Sequence, residues 1–447
     1  MELWIKTSML LCLFGFLKEF RPSEPYLVSY LTGPELNFTD DQVNQQLFPT
    51  GTYTYISLLG VVLLITDFLR YKPLLVVEGI AGTVTWSVFA WGTQFSHFMA
   101  GELVWAVFAA TEVAYYTYIY ARVDRDHYQR VTSHTRAALL LGHSLSALAG
   151  QGLLAAGVMD SHTLTYITAG ALALSTVWAL LLPKVSHSMY FHRSAKEPSQ
   201  TSADTAVVKD AADPVVAPVG RLACGHKFSA AYRLLKKDLK EAYGNAYVVK
   251  WSAWWVMSGG CYVLAYTYNQ IVYETILKES GELESAKYNG AVEAISSLLG
   301  AAVAFGCGWL LLDWPRIGNL YLSVGCLFEG AMMCCFAISR NIWLGYCTYT
   351  LFVIGYQALI TIASTEVAKK ISEDSYGLIF GVNTLLATLV QTAITVVVVS
   401  DSGLGLQPRQ QYMVYGGYFI FLGVLCAALF VYSSFCKGKE AEKSQVI

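Results

Sequence analysis

The chain has 447 residues, 55% of them apolar and 14% charged, with a formal net charge of -2 at pH 7 and a mean hydropathy of +0.44. Soluble globular chains carry about 25% charged residues, so this composition excludes a soluble enzyme and a disordered scaffold. The near-neutral balance also excludes a nucleic-acid binder, which needs a basic footprint.

What remains is a polytopic membrane protein. Its apolar runs are long and continuous, unlike the ~10-residue alternating strands of an outer-membrane barrel. A bilayer-crossing helix needs about 20 mostly apolar residues. Twelve stretches qualify, roughly 7–31, 50–69, 73–93, 99–122, 132–158, 163–183, 245–273, 287–312, 317–338, 342–367, 374–400 and 411–436. The first lacks a basic lead-in and a small-residue cleavage site and runs into Lys18, Arg21 and Glu24, so it reads as a span, not a cleaved signal.

Lys and Arg orient the spans. With the N-terminus inside, 23 of the 30 fall on cytoplasmic segments and span ends, while Lys278, Lys287, Arg340 and Arg409 fall outside. Both termini are therefore expected in the cytoplasm. The Asn37-Phe38-Thr39 sequon lies in the loop after span 1, which this orientation places outside, where glycosylation occurs.

The loop 184–244 divides the chain six plus six. The expected units are 1–183, the linker 184–244, 245–436, and a cytosolic tail 437–447. Ser194 to Gly220 is rich in Ser, Ala, Pro, Asp and Lys and reads as a flexible linker. Phe228–Tyr243 reads as an amphipathic helix on the membrane surface, with Leu234, Leu235 and Leu239 opposite Lys236, Lys237 and Lys240. Asp67-Phe-Leu-Arg70 closes span 2 and Asp313-Trp-Pro-Arg316 closes span 8, an offset of 246 residues. Parallel six-helix repeats are the architecture of major facilitator transporters. The expected fold class is thus an all-α membrane protein of that superfamily, with twelve transmembrane helices in two six-helix halves. In it Asp67, Arg70, Asp313 and Arg316 are candidate gating residues, through Arg bonding to facing helix ends or carboxylates. The alternative is simple positive-inside anchoring.

The ten cysteines show no metal-ligand spacing and read as small apolar fillers. No nucleophile–base set, phosphate loop, cofactor motif or metal cluster is present, so neither an enzyme nor a cofactor is expected.

Ionisable residues inside spans are costly and are functional candidates. Glu112 lies ten residues from Arg122, roughly 15 Å from the span end and hence at the midplane. Tyr115 and Tyr116 follow at the spacing that shares its helix face. A carboxylate among aromatic rings suits a cationic or protonated heteroaromatic ligand. Glu24 follows Arg21 by three residues, so the two can pair. His143 is a candidate for proton coupling, or a satisfied polar contact. Glu293 opens the corresponding half-site in span 8, where Asn289 offers a donor and an acceptor. Glu366 lies near Lys369 and Lys370 and suits a gate or latch, whereas Glu78 and Glu329 carry no functional expectation. Tyr262, Tyr266 and Tyr268 follow Gly259 and Gly260, where a helix can break beside a substrate site.

Several segments together resemble the vitamin transporters of the reduced folate carrier and thiamine transporter family. They are Arg21-Pro-Ser-Glu-Pro25, Gly33-Pro34 with Asn37-Phe-Thr39, Thr66-Asp-Phe-Leu-Arg-Tyr-Lys-Pro73 and Glu112-Val-Ala-Tyr-Tyr-Thr-Tyr-Ile-Tyr120. His127-Tyr-Gln-Arg-Val131, Tyr288-Asn-Gly-Ala-Val-Glu293 and Phe380-Gly-Val-Asn-Thr384 complete the set. The resemblance covers nearly the whole chain apart from the central loop. It implies Glu112 and Tyr115 on the aminopyrimidine of thiamine, with Glu24, Phe48 and Asn289 bordering the same pocket. His143, Tyr268 and Gln391 join them as candidate substrate contacts. Folate carriers place Arg where this chain has Glu112 and Lys where it has Gln391, so the resemblance points to the thiamine branch. Departures from that branch are Gly51 in place of a Trp, His143 in place of a Tyr, and Leu264 and Thr267 in place of a polar pair. The expected function is plasma-membrane uptake of thiamine by alternating access, with reduced folate as the alternative and pyridoxine a further candidate for the same pocket. A proton is the candidate co-substrate, and the bilayer the expected surroundings.

Overall fold

A computed structural model describes residues 3–123, 128–185, 224–281, 288–307, 310, 312–371, 375–401 and 403–445. The linker expected over Ser194 to Gly220 and part of the His127–Val131 segment lie outside the described residues. Those described are helical, with no strand among them. In chain order the helices are α1 (Leu3–Glu19), α2 (Leu27–Leu31), α3 (Phe48–Phe68), α4 (Lys72–Trp91), α5 (Phe95–Thr111) and α6 (Val113–Arg122). They continue with α7 (Tyr128–Ala155), α8 (Thr163–Leu181), α9 (Cys224–Tyr243), α10 (Ala246–Ser280) and α11 (Asn289–Cys307). The last four are α12 (Trp314–Ile338), α13 (Ile342–Ala368), α14 (Tyr376–Ile394) and α15 (Pro408–Gln445).

Among the described residues, nine helices are long and apolar enough to cross a membrane. The other three expected spans fall on α1 with α2, on α3 and on α10, which belong to the same bundle but lie outside that set of nine. Local chemistry sets many of the boundaries. Pro49, Pro73 and Pro315 start α3, α4 and α12, where a missing N–H costs nothing. Asn245 and Asn341 cap α10 and α13 by accepting from Tyr247 N and Trp343 N.

Packing repeats between the halves. In the first, α4 packs on α5 and α8, α1 on α7 and α8, and α3 on α5. In the second, α12 packs on α13 and α15, α10 on α14 and α15, and α11 on α13. Each of these contacts in one half has its counterpart in the other, whereas the packing of α10 on α13 has no such match between α1 and α5. The halves meet through α7 with α11 and α3 with α14, and at the Asn37 end through α2 with α10.

Three expectations are corrected. Span 1 is interrupted: α1 stops at Glu19, and a single tight turn, Glu24–Tyr26, leads into α2. Pro22 and Pro25 remove backbone donors and disfavour helix at the residues before them. Span 4 is also interrupted, with Glu112 itself at the α5–α6 junction. Conversely, α10 runs unbroken through Gly259 and Gly260. Gly260 serves close packing instead, because a Cβ there would lie 2.6 Å from the Ala387 carbonyl oxygen on α14.

Helix α9 covers the amphipathic segment. Arg233, Lys236, Lys237 and Lys240 are exposed, and Leu234, Leu235 and Leu239 are half-buried.

Candidate substrate site

The interruptions at Glu19–Tyr26 and Glu112 both border a cavity of about 430 Å³ lined from both halves. Broken helices free backbone polar groups and bring charged side chains to mid-bundle, which is where transporters of this architecture build their sites. The lining is acidic. Glu19, Glu24, Glu102, Glu112 and Glu293 face two fixed cations, Lys18 and Arg21, with His143 beside them.

These charges form three linked groups. Lys18, only 1% exposed, donates to Glu78 Oε1 and Glu112 Oε1, both at 2.9 Å. Its ammonium also lies 4.9 Å from the centre of the Tyr115 ring. Arg21 bonds Glu19 at 2.7 Å and approaches Glu24 at 3.3 Å, so the spacing of Arg21 and Glu24 does produce a pair. His143 Nε2 lies 3.0 Å from Glu293 Oε1, joining α7 to α11, and its Nδ1 is 4.0 Å from Glu19.

Glu102 stands apart from all three. It is 6% exposed and lines the cavity, and among the described residues no hydrogen bond or ion pair holds its carboxylate. Phe48, Trp86, Phe89 and Trp105 line the cavity with it. The absent side chain of Gly51 makes its room, since a Cβ there would fall 2.3 Å from Glu102 Oε2 and 3.6 Å from Trp105. Sequence reasoning missed Glu102 because it lies near the end of the expected span rather than at mid-depth. A signal was present, because Trp105 follows it at the i+3 spacing that shares a helix face.

Of the residues named from the sequence, Glu112, Glu24, Phe48, His143 and Gln391 line the cavity. Three other expected residues stand behind the wall. Tyr115 is fully buried, and its hydroxyl donates to the Leu11 carbonyl at 3.1 Å. The helix junction at Glu112 breaks the register that would have carried Tyr115 onto its face, and Tyr116 is left 44% exposed. Tyr268 is fully buried and buttresses Phe48 edge-on at 5.8 Å. Asn289 is committed to structure: its amide donates to the Pro25 carbonyl at 3.3 Å and its oxygen accepts from the Tyr346 hydroxyl at 2.9 Å. Glu78 holds Lys18 in place.

Arg70, Asp313 and Arg316 are exposed at the end of the bundle opposite Asn37. The side chain of Asp67 lies outside the described residues. No ion pair from Arg70 or Arg316 to the opposite half is found among the described residues. Arg70 and Tyr71 both adopt left-handed φ, at 60° and 66°, in the turn between α3 and α4, a strained conformation for such side chains. Glu366 accepts from Tyr247 at 2.5 Å and from Lys369 at 2.6 Å, all within the second half. Asn37 is exposed in its loop, and its amide donates to the Pro34 carbonyl at 3.2 Å.

A bundle of two repeated helical halves around a charged central cavity is the major facilitator fold. The chain superposes on the POT family transporter PepTSo with a TM-score of 0.63 over 96% of this chain and 98% of that one, at 13% identity. It superposes on the human organic anion transporter MFSD10 with a TM-score of 0.54 over 95% and 100%, at 12% identity. Residues 2–414 match the family model described as reduced folate carrier, and the chain belongs to that family. It is 33% identical over 438 residues to thiamine transporter 2 of Macaca fascicularis, covering 93% of this chain and 88% of that one. It is 34% identical over 427 residues to the reduced folate transporter of Homo sapiens, covering 94% and 71%. The chain is a multi-pass membrane protein and a vitamin transporter.

Proposed function

We propose that the protein takes up thiamine across the plasma membrane by alternating access, with both termini cytoplasmic and Asn37 outside. The observation that carries this reading is the charge of the cavity: five carboxylates against two fixed cations, among aromatic walls. Such a site attracts an organic cation and repels a dicarboxylate. Glu102, whose carboxylate no cation among the described residues neutralises, holds the cationic or donor-bearing substrate between Phe48, Trp86 and Trp105, by charge, hydrogen bonding and cation–π attraction. Glu24 borders the same space from the Arg21 pair, and Gln391 faces it from α14. Glu112 shares its charge with Lys18 and sets the field of the cavity. The relatives named as thiamine transporters support the same substrate.

The second reading is reduced folate. Lys18 and Arg21 both line the cavity and are the groups a carboxylate tail would seek, and one relative is named a reduced folate transporter. Pyridoxine fits the aromatic walls as a smaller heteroaromatic. A proton is the candidate co-substrate through the His143–Glu293 contact between the halves, and His143→Gln is then expected to flatten the pH dependence of uptake. The gating role of Arg70, Asp67, Asp313 and Arg316 belongs to the state closed at their end.

The test is uptake of labelled thiamine and labelled reduced folate, side by side, in cells lacking their own carriers. Thiamine flux that falls at least about tenfold in Glu102→Gln, the scale of one charge-assisted contact, supports the reading. Folate flux without thiamine flux overturns it.

A further inference from the structure

The turn at Glu24–Tyr26 satisfies its own backbone only in part, through the Leu27 N–H, which donates to the Glu24 carbonyl. In a continuous helix, the Val28 N–H would donate to the Glu24 carbonyl four residues back. Here the side-chain amide of Gln270, on α10 of the other half, sits between the two. Its nitrogen donates to the Glu24 carbonyl at 2.8 Å, and its oxygen accepts from the Val28 N–H at 3.2 Å. The next carbonyl, that of Pro25, also takes its donor from the other half, from Asn289 at 3.3 Å. Tyr26 is tied across in the same way, its hydroxyl accepting from Gly290 N at 3.0 Å while donating to Gln151 at 2.7 Å.

Buried backbone groups must find partners, so this bend is complete only while the halves are together at the Asn37 end. That end is closed here. Lys278 pairs with Asp40 at 2.7 Å, Ser29 donates to Glu274, and Gln411 donates to Asn44 at 3.3 Å, each across the halves. At the opposite end no hydrogen bond or ion pair between described side chains crosses.

We propose that Gln270 is a positioning residue that ties the setting of Glu24 in the cavity to closure of the Asn37 end. When the halves part there, Gln270 withdraws, the Glu24 carbonyl and Val28 N–H lose their bridge, and the bend re-forms with Glu24 aimed differently. One residue pair thus makes the cavity differ between the two access states. The inference rests on Glu24 contacting substrate, as proposed above, but not on which vitamin is carried.

The test is a double-mutant cycle on uptake, with Gln270→Leu, Glu24→Gln and the double variant, alongside Gln270→Glu, which keeps the acceptor for Val28 and loses the donor to Glu24. Labelled thiamine is the probe, or reduced folate if that is what the chain carries. All variants are scored against their amount at the cell surface. Gln270→Leu is expected to raise KM about tenfold, as loss of two hydrogen bonds to the bend would. The double variant is expected to be no worse than Glu24→Gln by more than about twofold, because the two act through one contact. Gln270→Glu is expected to fall between unmodified protein and Gln270→Leu. Independent, additive effects overturn the proposal. If Glu24→Gln alone is silent, Glu24 is not a substrate contact. Hydrogen exchange of the 22–31 segment in purified protein then decides without substrate: faster exchange in Gln270→Leu supports the bridge, and unchanged exchange overturns it.

Discussion

Glu102 and Glu112 lie ten residues apart on the same interrupted span, and their partners set their roles. Glu112 shares Lys18 with Glu78, whereas Glu102 has aromatic rings and open cavity around it. Lys18 and Glu78 are each 1% exposed, so their pairing is a structural requirement as well as an electrostatic one. Lys18→Met leaves Glu78 as an uncompensated buried carboxylate and is expected to cost roughly 3–5 kcal/mol. Adding Glu78→Gln should recover much of that loss, read as the thermal midpoint of the purified protein. Gly51 offers a cleaner probe of the pocket. Gly51→Ala pushes against the far end of the flexible Glu102 side chain rather than against backbone. It should therefore raise KM for thiamine several-fold, by about 1 kcal/mol of binding, while leaving the thermal midpoint nearly unchanged. Depth counting along the spans was enough to bring Glu24, Glu112, His143 and Glu293 to attention, because an ionisable residue amid apolar sequence is conspicuous. The commitment of Glu112 to Lys18 was hidden, since it joins residues 94 apart in the chain.

Interrupted helices bring Lys18, Glu24 and Glu112 to the cavity, while continuous ones supply Phe48, Trp86, His143, Glu293 and Gln391. Proline made the break after α1 legible in Arg21-Pro-Ser-Glu-Pro25, although apolar content alone merged the pieces into one span. No residue of that kind marks the junction at Glu112, where the Glu112 N–H reaches Ala109 and the Tyr115 N–H reaches Glu112, a tightened three-residue spacing. A glycine pair suggested a third break in α10, and there the structure shows close approach instead. Gly260→Ala would bring its Cβ to 2.6 Å from Ala387 O and 2.8 Å from Gln391 N, both backbone atoms. Helices α10 and α14 must separate to accept it, at an expected cost of about 1–3 kcal/mol, visible as a lower thermal midpoint. Because Gln391 lines the cavity, thiamine affinity should fall with it.

At the scale of the whole molecule, the repeated packing of the halves leaves two interfaces, α7 with α11 and α3 with α14, about which one half can rock against the other. The Asn37 end is held mainly by buried contacts. Lys278 and Asp40 are 41% and 39% exposed, and an exposed ion pair contributes about 0–1 kcal/mol. Lys278→Ala should therefore change uptake by no more than about fivefold, less than the change expected for Gln270→Leu. Orientation is tested separately: the apparent mass of the protein from cells should drop on glycosidase treatment, and Asn37→Gln should abolish the drop. An unchanged mass in the unmodified protein would remove the sequon as support for an outside Asn37.

The membrane class and most of the acidic inventory of the cavity were determined by the sequence itself. These depend on how many apolar residues stand in a row and on which charges interrupt them, and both are local properties of the chain. Tertiary structure alone decided which carboxylate is neutralised, which tyrosines stand behind the wall, and that a glutamine from one half completes the backbone of the other. Those outcomes depend on pairings between distant helices, where a break of a single residue turns a side chain from the cavity to the core.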